Sequence, residues 1–233
     1  SQMGVGSIVL KSSNDALLTS LKNKAVLPSG YYLEKSNGRL TLANDSLGYV
    51  FNCLGEKQMN DPSGWTTGQV APAGADVFIK GDQTVAVLDS TMNVYNSITV
   101  MNGGTLKLKN MTSMPNLSLL YNAKAIVASG TGLTIGAGQI TCEAEETSIP
   151  TLEIAAGAKA TFGTGTEFKN MNFVLLGEMK FIPPFFFGTA GSGETSYFNM
   201  AATNAVIDMT GGSGMIVYWM TPQAATGRVK SPK

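Results

Sequence analysis

Apolar and polar residues alternate with period two through most of the chain, and glycine, asparagine or small-residue turns interrupt the alternation every few positions. In "ITVMNGGTLKLKNM" (98–111), Ile98 and Val100 share one parity. A Gly103-Gly104 turn follows, and then Leu106 and Leu108 repeat the pattern, while Thr99, Thr105, Lys107 and Lys109 take the other parity. One segment departs from this period. "NDALLTSLKNKAVLP" (14–28) sets Leu17, Leu18, Leu21 and Ala25 on one helical face, with Asn14 or Ser13 available as N-cap and Pro28 as the stop. That spacing predicts a helix over about 14–27. "YYLEKSNGRLTLAND" then alternates around Asn37-Gly38, a dipeptide suited to the positive φ angles of a tight turn, and predicts a hairpin over about 31–43.

From Ala75 onward the pattern recurs. "NSITV", "NLSLL", "TGLTI", "TLEI" and "NFVLL" begin at Asn96, Asn116, Thr131, Thr151 and Asn172, at intervals of 20, 15, 20 and 21 residues. A second series, "GGTLKL", "AGAKATF" and "LGEMKF", follows the first through short turns. A period near 20 residues with two or three short strands in each is the signature of a solenoid whose coils stack over a continuous core. The Leu-x-x-Leu-x-Leu frame of leucine-rich repeats is absent, so an all-β, single-stranded parallel β-helix is expected, with a sandwich or meander of hairpins as the competing arrangement. Inward parity predicts that Ile98, Val100, Leu106, Leu108, Leu133, Ile135, Leu152, Ile154, Leu175 and Phe181 form one buried column. The division expected is 1–64 as an N-terminal cap of helix and hairpin, 65–210 as coils, and 211–233 as a terminal strand and tail. A helix is a natural cover for an open solenoid end.

The order Trp65, Gly68, Pro72, Asp76-Val77, Ile79, Val85, Val87, then "NSITV" and "GGTLKL", resembles the first coils of right-handed parallel β-helix domains, of pectin-lyase-like fold, in bacterial secreted and autotransporter-type surface proteins. The resemblance covers about 45 residues. It implies a right-handed solenoid and an extracellular or cell-surface setting. The chain lacks the Arg, Lys and Asp active-site motifs of the pectate-lyase-like enzymes that share this fold.

Composition narrows the function. Lys plus Arg equals Asp plus Glu at 16 each, and no basic run occurs, so nucleic acid is not an expected partner. The longest apolar runs, such as "FIPPFFFG" (181–188), fall far short of the ~20 residues of a membrane span, and no membrane insertion is expected of this segment. "SQMGVGS" has neither the charged start nor the apolar middle of a signal peptide, so the chain reads as a mature or trimmed form. Cys53 and Cys142 show no CxxC spacing and are expected to be unbonded.

With no histidine in the chain, Ser-His-Asp and Cys-His nucleophiles and HExxH zinc sites are excluded. No cofactor or metal is expected. Glu143, Glu145 and Glu146 in "CEAEETS" are the weak catalytic candidates, since glycoside hydrolysis needs paired carboxylates. They crowd one loop, however, so no catalytic role is expected of them. Aromatic faces stack on sugars and anchor interfaces, which makes Trp65, Tyr218, Trp219 and the Phe185, Phe186, Phe187 run the ligand-binding candidates. Three consecutive phenylalanines cannot all point inward on a strand. The expected function is a non-catalytic module of an exported bacterial surface protein, for adhesion, carbohydrate contact or as a structural stalk, with polysaccharide or another surface protein as partner. The alternative is a polysaccharide lyase or glycoside hydrolase of the same fold.

Overall fold

The computed structural model describes residues 8–25, 31–36, 38–44, 48–101, 103–144, 148–187, 196–200, 202–210, 215–217, 220–225 and 228–230. The chain begins with β1 (Ile8–Lys11), α1 (Asp15–Lys24), β2 (Tyr31–Ser36) and β3 (Arg39–Asn44). Of the two caps the sequence offered, Asn14 and Ser13, it is Asn14 that caps the helix, accepting a hydrogen bond from the Leu17 amide at 3.0 Å. β2 and β3 pair as the expected hairpin, and Gly38 takes φ 69° at its turn. β1 joins β3 on its other edge, also antiparallel. This unit has a small core of its own, made of Leu18, Leu33, Leu40 and Leu42. The helix is shorter than expected, and its apolar face is only partly used. Leu18 is buried against the hairpin, but Leu17 and Leu21 remain 45% and 40% exposed, because a ten-residue helix on a three-stranded sheet presents only a narrow contact stripe.

The remaining strands are β4 (Tyr49–Phe51), β5 (Gly55–Gln58), β6 (Asp76–Lys80), β7 (Thr84–Asp89), β8 (Ser97–Met101), β9 (Thr105–Lys109), β10 (Asn116–Leu120) and β11 (Lys124–Val127). They continue as β12 (Gly132–Ile135), β13 (Ile140–Glu143), β14 (Thr151–Ile154), β15 (Lys159–Phe162), β16 (Glu167–Phe168), β17 (Asn172–Leu175), β18 (Glu178–Phe181) and β19 (Phe185–Phe187). The last are β20 (Ser196–Met200), β21 (Val206–Asp208), β22 (Met215–Val217), β23 (Met220–Ala225) and β24 (Arg228–Lys230). They form four sheets, ordered β4-β6-β8-β10-β13, β5-β7-β9-β11-β14-β17-β20-β23, β12-β15-β18-β21-β24 and β16-β19-β22, and every neighbouring pair in them is parallel. No helix among the described residues is long and apolar enough to cross a membrane.

Hairpin pairing of 96–100 with 104–108 does not occur: β8 pairs with β6 and β10, and β9 with β7 and β11. From β10 the chain visits the sheets in rotation, as β10, β11, β12 and then β13, β14, β15. β16 lies against β13, and the rotation continues through the three-stranded sheet to β22, β23, β24. Parallel pairing reaches beyond 65–210 on both sides, from Tyr49 to Lys230.

The ten positions expected inside are all buried, at 0–1% exposure, but they do not form one column. Ile98 and Val100 stack between Val77, Ile79 and Leu117, Leu119 in one sheet. Leu106 and Leu108 stack on Ala125 and Val127, which stack on Leu152 and Ile154 in a second sheet, and Leu133 and Ile135 begin a third. "NSITV" and "TGLTI" therefore belong to different sheets although their patterns match, which accounts for the irregular 15-residue interval in the sequence series.

Three buried threonines are hydrogen-bonded at turns between strands. Thr84, Thr131 and Thr166 are at most 3% exposed, and each hydroxyl serves a turn. Thr84 Oγ1 accepts from the Cys53 amide at 3.1 Å, Thr131 Oγ1 accepts from the Asn110 amide at 3.0 Å, and Thr166 Oγ1 donates to the Gly163 carbonyl at 2.6 Å.

Candidate functional site

The phenylalanine run divides by parity. Phe185 is fully buried, with ring centroids 5.1 Å from Phe181 and 5.6 Å from both Phe162 and Phe168, so its faces belong to the core rather than to a ligand. Phe186, of opposite parity, is half-buried. Phe187 pairs through its backbone with Phe168 and Val217, and its side chain lies outside the described part of the structure. Glu145, Glu146, Tyr218 and Trp219 also lie outside the described residues. Glu143 ends β13 on the surface, and its carbonyl accepts from the Tyr121 amide at 2.6 Å.

Several acidic side chains elsewhere join strands of one sheet. Glu56 of β5 pairs with Lys107 of β9, reaching across β7. Glu153 pairs with Lys124 and Glu178 with Lys159, each at 2.8 Å between adjacent strands. Asp76 accepts from Ser97 Oγ at 2.6 Å and Asn96 Nδ2 at 2.7 Å, and these bonds hold its carboxyl below the usual range. Asp89 is lowered in the same way, first by the Thr91 amide and also by Asn110 Nδ2 at 2.9 Å from the next turn of chain. No group of three His, Cys, Asp or Glu side chains that could hold a metal occurs among the described residues.

Trp65 marks a different place. Asp61 caps a single 3₁₀ turn at Pro62–Gly64, and Trp65 follows it. Its indole N–H donates to the Met59 carbonyl at 2.8 Å, and its ring meets Phe51 edge-on at 5.2 Å. Gly64 allows this approach, since a Cβ there would stand 2.3 Å from the Phe51 ring. Trp65 is consequently 4% exposed and lacks the open face that sugar stacking requires.

Trp65 also lines a cleft of about 250 Å³ between the helix-hairpin unit and the first parallel strands. Thr19, Lys22 and Lys35 stand on one wall, and Cys53, Lys57 and Thr66 on the other. Lys35 Nζ donates to Asp15 at 2.8 Å and to Thr19 at 2.9 Å. Lys57 Nζ donates to Ser63 Oγ at 2.6 Å, and Ser63 Oγ donates to Asp61 at 2.7 Å, which lowers the Asp61 carboxyl. Burial pushes the Cys53 thiol up, against the pull of Lys57 and Lys22. Its Sγ lies 3.4 Å from the Gly55 carbonyl, and a protonated, buried thiol of this kind is a poor nucleophile.

Lys57 was not evident from the alternation, because β5 precedes the span in which coils were expected. Its signal in the sequence is "GEKQM", where Lys57 shares the parity of the buried Met59. No family of proteins, curated protein or solved structure matches the chain.

Proposed function

We propose that residues 49–230 form a right-handed, single-stranded parallel β-helix, capped by the helix-hairpin unit, and that the chain is a non-catalytic module of an exported bacterial surface protein. Its role in this reading is adhesion, carbohydrate contact or service as a stalk. The observation that carries it is that five acidic side chains are bonded to side chains on or beside other strands. Glu56, Glu153 and Glu178 close ion pairs between strands, and Asp76 and Asp89 bind the turn of the next strand. Carboxylates used this way reinforce a long stack, whereas glycoside hydrolysis needs two of them facing across a scissile bond, one kept protonated by desolvation. The rotation of strands among parallel sheets supports the solenoid part of the reading.

The test is incubation with a panel of acidic and neutral polysaccharides, with assay of reducing and unsaturated ends alongside binding. Binding without release of ends is expected, and replacing Glu143, Glu145 and Glu146 together by Gln should leave folding and binding unchanged. Release of ends by the wild type, lost in the triple variant, overturns the reading.

A further inference from the structure

We draw no further inference here: the strongest candidate, the exposed apolar stripe that Leu17 and Leu21 form on α1 of the helix-hairpin unit, carries nothing because nothing in the structure shows what covers it.

Discussion

Replacing Gly177 by Ala tests how closely successive turns of the chain are stacked. Gly177 follows β17, its amide donates to the Ile154 carbonyl at 3.0 Å, and its carbonyl accepts from the Val206 amide at 2.8 Å. A Cβ at this position would lie 2.3 Å from the Ala155 carbonyl oxygen and 2.4 Å from that of Ala158. Both are backbone atoms of the preceding turn, so no side chain can rotate away, and relief requires the two turns to separate by about 1 Å to reach ordinary contact. Overpacking of this kind costs about 1–3 kcal/mol. Stretching the backbone bonds that join the turns adds about 0.5–1.5 kcal/mol for each one lost. Together these predict a loss of roughly 2–5 kcal/mol.

Gly163→Ala is the matched control. A Cβ at Gly163 would meet its nearest neighbours, Gly136 Cα and the Ile135 oxygen, at 3.5 Å, an ordinary contact. Removing a glycine from the unfolded chain should then leave stability unchanged or raise it by up to about 1 kcal/mol. Urea denaturation followed by tryptophan fluorescence separates the two. With a slope of about 3 kcal/mol per molar for a chain of this size, Gly177→Ala should lower the midpoint by about 1 M. A Gly177→Ala variant within about 0.5 kcal/mol of wild type, or equal losses in both variants, would refute the stacking geometry.

Phe162→Ala should cost about 3–5 kcal/mol in the same assay, since Phe162 is fully buried and its ring meets Phe168 at 5.1 Å and Phe185 at 5.6 Å. A loss below about 1 kcal/mol would mean the cluster is not packed as described. Acid should destabilise the fold through Asp61, Asp76 and Asp89, whose folded values lie below the unfolded 3.8. Their contribution is complete above 3.8 and is lost as pH falls below it, so the urea midpoint should drop there, with a shallower drop in Asp76→Asn. A midpoint independent of pH in that range counts against these bonds. At the alkaline end, Glu178 raises Lys159 above 10.5, so its contribution is present below 10.5 and lost as pH rises through the raised value. Cys53 and Cys142 are free, and burial pushes Cys142 up to about 12, so a thiol reagent at pH 8 should titrate both promptly in denaturant and slowly in the folded protein. Prompt reaction of the native chain, or a mass change on reduction, would contradict this.

The alternation of side chains by itself determined which residues face inward, because a strand has a period of two whatever it pairs with. Ile98, Val100, Leu106 and Leu108 were legible for that reason, as were the hairpin turning at Gly38 and a helix cap at Ser13 or Asn14, whose signals lie within a few residues. Choice of partner is not local. "NSITV" and "TGLTI" carry the same pattern, yet β8 and β12 lie in different sheets, and only the path of the whole chain decides that. The same limit applies to the candidate residues. Trp65 and Phe185 are of types that serve equally as ligand anchors and as core, and it was Phe51 and Met59 around one, and Phe162, Phe168 and Phe181 around the other, that buried them. Lys57 is an ordinary polar residue until register aligns it with Ala86 and Leu106, because its exceptional position exists only relative to strands 29 and 49 residues further along the chain, from Lys57 to Ala86 and to Leu106.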